Sequence, residues 1–140
     1  QALRATPLEG LGLGLAIEQL AESIAGRSGL QTELLIEHDM RDYPVEIQQC
    51  FYRVAQEALT NVVAHSQASK VQVGLKGDGT SLNLWIRDDG IGFDQKTVDL
   101  NEKYGLLGMR ERVDMIHGDL TILSQVGAGT EICLSYQGAV

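Results

Sequence analysis

Four short stretches of this chain carry residue types that could bind or transform a charged ligand. The first is a set of polar residues on an otherwise apolar helix face. On a wheel of about 100° per residue, Ile47, Phe51, Val54, Ala58 and Val62 span roughly an 80° arc. Asn61 and His65 fall inside or beside that arc, and Glu57 lies at its edge, one turn before Asn61. A buried amide or carboxylate without partners costs about 1–3 kcal/mol or more, so this face should meet a polar cavity or a ligand. One reading has Asn61 and His65 bonding nearby backbone and Glu57 paired with Arg53. The other points Glu57 and Asn61 at a metal–phosphate group, with the Asn oxygen as a ligand for a hard Mg²⁺.

The other three stretches are glycine signals. Asp88-Asp89-Gly90-Ile91-Gly92-Phe93 follows an alternating strand. A carboxylate at a strand end can accept from an exocyclic amine such as that of adenine, and glycine lets the backbone approach a flat ligand. Gly105-Leu106-Leu107-Gly108-Met109 opens a helix, whose free N–H groups suit phosphate oxygens. Gly127-Ala128-Gly129-Thr130 lies between two strands. Each signal also has a plain reading as a turn or a helix start; their order and context carry more than any one of them.

These residues need elements to hold them. Apolar spacing predicts a helix over Leu8–Ser28 with Leu11, Leu15, Ile17, Leu20 and Ile24 on its face, then a strand over Leu30–Glu37. His38–Tyr43 reads as a polar turn, and Pro44 suits the first turn of a long helix reaching Ser66. Lys70–Lys76 and Ser81–Asp88 alternate around a Gly77–Thr80 hairpin turn. A polar connection over Asp89–Tyr104 precedes a helix over Gly105–His117, with Gly118 as its C-cap, and strands over Asp119–Ser124 and Thr130–Tyr136. The order α-β-α-β-β-α-β-β predicts a two-layer α/β sandwich, about five strands with three helices on one face. The chain reads as one domain over residues 1–140.

Composition bounds the function. Asp and Glu number 19 against 11 Lys and Arg, a formal charge of −8 across 140 residues. An acidic surface repels phosphate backbones, so no nucleic-acid partner is expected. Cys50 and Cys133 have no metal-binding spacing, and each sits in an apolar segment, so both are expected to be buried and reduced in a cytoplasmic protein. No apolar run approaches a membrane span and no signal peptide is visible. Gln1 in the place of Met predicts a segment of a longer chain.

The residues resemble a known family. Arg53-Val54-Ala55-Gln56-Glu57-Ala58-Leu59-Thr60-Asn61 with His65 is similar to the N box of the GHKL ATPases. The three glycine stretches are similar to that family's glycine boxes. The wording QEALTN, DDGIGF and GLLGMRERV resembles the nitrate/nitrite-sensor-like subclass of bacterial sensor histidine kinases. Residues 1–7 would be the remnant of a linker from a missing dimerisation domain.

The resemblance implies a left-handed mixed sandwich, the GHKL ATPase fold, that binds ATP. It implies that Asn61 coordinates Mg²⁺ and that Glu57 orients or activates the attacking group. Asp89 would hold the adenine amino group, with Gly90, Gly92, Thr130 and His65 around the nucleotide. Gly105, Leu106 and Gly108 would border the triphosphate. Residues from Asp94 to Tyr104 would form an ATP lid, with Lys96 and Lys103 near the phosphates. Ala64 stands where many members carry Lys or Arg.

The implied reaction is transfer of the ATP γ-phosphoryl to a histidine on the dimerisation and phosphoacceptor domain, then relay to the receiver domain of a response regulator. His38, His65 and His117 lack the helical context of a phosphoacceptor. This piece would therefore be monomeric and unable to autophosphorylate, and the parent homodimeric; the family is usually tethered to the inner membrane, with soluble members. Two rival readings are a non-catalytic nucleotide sensor and a serine kinase of the anti-sigma-factor type; a third is an interaction module without a ligand.

Overall fold

A computed structural model describes residues 12–37, 43–96 and 100–138. The linker residues 1–7, the first turn expected from Leu8 together with Leu11, most of the His38–Tyr43 turn and lid residues 97–99 lie outside the described residues. Helix α1 (Leu13–Ala21) continues through a wider π-type turn, Glu22–Gly26, and is followed by β1 (Gln31–Ile36). Helix α2 (Val45–Asn61) ends in a second π-type turn, Val62–Ser66. The hairpin β2 (Lys70–Gly77) and β3 (Ser81–Asp88) comes next, then a short helix α3 (Leu100–Tyr104) and α4 (Leu106–Met115). The described chain closes on β4 (Asp119–Ser124) and β5 (Thr130–Gln137).

The five strands form one mixed sheet in the order β1-β2-β3-β5-β4. β1 runs parallel to β2, reached by the α2 crossover, and the remaining neighbours are antiparallel. Strand alternation decides what each face carries. Val71, Val73 and Leu75 of β2, Leu82, Leu84 and Ile86 of β3, and Ile132 and Leu134 of β5 point to the helices and are buried. Phe51, Val54, Ala55, Ala58 and Leu59 of α2 meet them, all with no exposed surface. Each large apolar side chain buried this way contributes about 1.5–3 kcal/mol.

The opposite face is polar. Glu33, Gln72, Arg87 and Glu131 form a ladder across four strands, with Gln72 Nε2 donating to Glu33 Oε1 at 2.6 Å and Arg87 paired with Glu131 at 2.5 Å. On this face Trp85 lies over Gly74, where an added Cβ would stand 2.0 Å from the indole. That explains the half-buried state of a tryptophan on the solvent side of the sheet.

Several local expectations need correction. Leu13 and Ala16 lie fully inside α1, whereas Leu15 is only half-buried. The buried face of α1 is made by Leu13, Gly14, Ala16, Ile17, Leu20 and Ala21, so the apolar stripe is rotated away from Leu15. Pro44 stands before α2 rather than in its first turn; its carbonyl accepts from Ile47 and Gln48 N–H. The residue in the left-handed region after α4 is His117 (φ 57°), not Gly118. Gly118 instead sits in a tight place, where a Cβ would stand 3.0 Å from the Ser135 carbonyl. The Asp89–Tyr104 connection is not wholly polar: it contains α3, and Tyr104 is buried. Cys50 is buried, and burial raises its thiol pKa to about 11 against the opposing pull of Arg112. Cys133 is only half-buried, because it falls on the outer face.

Candidate functional site

The site forms where the C-terminal half of α2 passes over the ends of β3 and β5. A cavity there is lined by Asn61 and His65 of α2 and its π-type turn, Asp88 of β3, Gly92 and Phe93 of the following loop, and Tyr104, Leu106 and Thr130. Ile86, Ile122 and Ile132 supply its apolar surface. Its volume is about 30 Å³. The Phe93 and Tyr104 rings stack at 4.8 Å along one side, and His65 meets Tyr104 edge-on at 4.8 Å.

Asp88 is the one buried carboxylate of the described residues. It continues the inward series Leu82, Leu84, Ile86 along β3, so strand alternation aims it under the helix. Its Oδ1 accepts from Gly90 N at 2.8 Å. Burial pushes its pKa above the ordinary carboxylate value, aided by the adjacent Asp89 charge and opposed by the Gly90 and Thr130 N–H groups. This residue was missed in the sequence reading. Extending the β3 alternation by two residues would have found it.

Asp89, expected to hold the base, is instead exposed and turned out of this cavity. Its carboxylate caps the start of β2, accepting from Ser69 N at 2.9 Å, Ser69 Oγ at 2.8 Å and Lys70 N at 3.0 Å. The Ser69 hydroxyl, then the Lys70 N–H, lower its pKa.

Asn61 is half-buried on the cavity wall, where Nδ2 donates to the Tyr104 carbonyl at 2.6 Å. The backbone-bonding reading of Asn61 is thus met on its nitrogen, while its oxygen is the atom suited to a hard cation. Glu57 is exposed at the rim. Its Oε1 lies so near Gly105 that a Cβ there would stand 2.5 Å away, and Gly105 has φ 67°, a left-handed conformation that glycine adopts readily. The second glycine stretch therefore reaches Glu57 through its first residue. Leu106 enters the cavity, whereas Gly108 does not line it.

Gly90 is buried behind the cavity rather than in it. A Cβ there would stand 2.2 Å from the Ser66 carbonyl, which accepts from Ile91 N at 2.7 Å. It lets the loop pass against the end of α2. Lys103 stands 5.4 Å over the Tyr104 ring.

The residues fit a purine nucleotide in kind. Three isoleucines offer an apolar surface, and the buried Asp88 carboxylate, on a wall shared with Thr130, offers an acceptor for an exocyclic amine. At the other end stand an amide oxygen and an acid beside the start of a helix.

Residues 46–138 match the family described as histidine kinase-, DNA gyrase B-, and HSP90-like ATPase. The chain belongs to this ATPase family. Among relatives of the ATPase domain is the signal transduction histidine-protein kinase/phosphatase DegS of Brevibacillus brevis. It is 32% identical over 133 residues, covering 95% of this chain and 34% of DegS. The sensor histidine kinase LiaS of Bacillus subtilis is 36% identical over 132 residues, covering 93% of this chain and 35% of LiaS. The chain thus spans about a third of the length of these relatives. A solved structure, the blue-light activated histidine kinase of Erythrobacter litoralis EL346, shares the fold with a TM-score of 0.73 at 22% identity. That match covers 89% of this chain and 41% of the other. Among the described residues of the ATPase domain, no helix is long and apolar enough to cross a membrane.

Proposed function

We propose that this domain binds Mg·ATP and serves as the catalytic part of a sensor histidine kinase. It presents the γ-phosphoryl group to a histidine on a dimerisation segment of its parent, for relay to a response-regulator receiver domain. The observation that carries the reading is Asp88, a buried carboxylate on the wall of an apolar cavity in an ATPase fold. The relatives DegS and LiaS, named as sensor histidine kinases, support the choice of reaction.

Asp88 accepts from the adenine amine, and Thr130 completes the polar edge of the base pocket. We assign this role to Asp88 in place of Asp89, whose carboxylate is engaged at the start of β2. A base entering the hollow displaces the Tyr104 ring from its stack on Phe93. Asn61 would offer its oxygen to Mg²⁺. When bound, the ion would neutralise charge on the phosphates. Gly105 and the first turn of α4 offer N–H groups to the phosphate chain. Glu57, at the rim, orients the incoming imidazole and takes its proton. The new N–P bond forms as the bond to the β-phosphate oxygen breaks, and ADP leaves with that electron pair. Positioning and charge neutralisation carry most of the rate in such a step.

The test supplies labelled ATP to this chain with and without a separate dimerisation domain carrying the phosphoacceptor histidine. Label on the added domain, dependent on Glu57 and Asn61, is expected. Label on this chain alone would contradict the reading.

A further inference from the structure

The loop that leaves the cavity is fastened to the edge of the sheet by a side chain acting as backbone. β4 is an end strand, so one side of it has no strand partner. Gln95 occupies that side. Its Nε2 donates to the Ile122 carbonyl at 2.6 Å, and its Oε1 accepts from Ser124 N at 2.9 Å. A carbonyl and an N–H two residues apart are the pair that one residue of an added parallel strand would engage. The glutamine amide reproduces that residue and covers part of an exposed edge.

The same stretch is tied at two further points. Phe93 N donates to Ser124 Oγ at 2.8 Å, and the Ile91 carbonyl accepts from Gly127 N at 2.6 Å. Ser124 is buried, and its hydroxyl also meets Thr130 Oγ1 at 2.7 Å and the Gly129 carbonyl at 3.1 Å. With one proton to give, Ser124 donates to one of these two while its oxygen receives the Phe93 N–H. Gln95, Ser124, Phe93 and Thr130 are therefore one connected set, and two of its members line the cavity.

We propose that Gln95 is a positioning residue for the nucleotide pocket, fixing the Phe93 wall against β4 without touching the ligand. This rests on the reading of the cavity as a nucleotide site. Gln95 is exposed, so replacing it leaves the core intact.

The test measures Kd for Mg·ATP and Mg·ADP on this chain, at a temperature where circular dichroism shows each variant fully folded. Gln95→Met keeps the reach of the side chain and removes the amide. It is expected to weaken both nucleotides by about tenfold and by equal factors, since the loss lies at the base and not at the phosphates. Gln95→Glu keeps the acceptor but sets a carboxylate against the Ile122 carbonyl. At about pH 8 it should bind as weakly as the Met variant. At about pH 4.3, the ordinary glutamate value, half of the acid is protonated and offers one O–H and one carbonyl oxygen, and the deficit relative to wild type should shrink to about twofold. Asp94 and Lys96 flank Gln95 in sequence, and Arg87, Asp88, Asp89 and Glu131 line the same groove. Wild type measured at each pH cancels their titration. Wild-type affinity in Gln95→Met, or a deficit in Gln95→Glu that ignores pH, overturns the inference alone. Failure of wild type to bind either nucleotide overturns the pocket reading and this inference with it.

Discussion

Asp88 and Asp89 are neighbours in sequence, yet they sit in two different regions of the molecule. Asp88 belongs to the inner layer, beneath α2 and beside isoleucines; Asp89 belongs to the outer corner, where it holds Ser69 and the first residue of β2. Burial raises the pKa of the first, and hydrogen bonds lower that of the second. On the proposed reading the same functional group is a recognition element in one place, and it is a structural cap in the other. The pleat of β3 makes the difference, because successive residues leave a strand on opposite sides.

Substitutions separate the two regions. Asp88→Ala should remove the acceptor for the base and weaken Mg·ATP by about 50-fold or more in calorimetry. Asp89→Ala should leave that affinity within about twofold while lowering the melting temperature. Gly90→Ala probes the boundary between the regions, where the loop crosses Ser66. The 2.2 Å approach to a backbone carbonyl forces a shift that should cost about 2–3 kcal/mol in denaturant unfolding. Asn61→Ala should weaken Mg·ATP by about tenfold and flatten the dependence on Mg²⁺, with little change in preference for adenine.

The smallest effects, in pH-dependent stability, have opposite signs. Asp88 has a raised pKa when folded, so its contribution is full below the ordinary carboxylate value and is lost as pH rises through the folded value. Above that range Asp88→Asn should melt at a higher temperature than wild type without ligand, even as it binds nucleotide poorly. Asp89 has a lowered pKa when folded, so its contribution is present above the ordinary value and lost as pH falls through the folded one. The gap between wild type and Asp89→Asn should therefore close on acidification. Thermal melts across the acidic range would check both slopes.

Much of the fold was legible in the sequence. The alternation in β2 and β3 and the long apolar face of α2 gave the layers, since both patterns report burial directly. Glu57, Asn61 and His65 were visible as polar residues on an apolar helix face, whereas Leu106 and Thr130 came only with the resemblance of their glycine stretches. Asp88 was hidden by its neighbour, because DDG offers two carboxylates and only the strand phase separates them. Tyr104 and Phe93 were hidden in a stretch read as polar, and their stacking joins residues eleven apart in sequence. Gln95 gave no signal at all: its role depends on an unpaired sheet edge that exists only after β4 and β5 have paired.

Calorimetric titration of Mg·ATP into wild type, Asp88→Asn and Asp89→Asn tests the central claim most directly. The account predicts binding by wild type and Asp89→Asn, and at least about a tenfold loss in Asp88→Asn. Tight binding by Asp88→Asn together with loss in Asp89→Asn would contradict it.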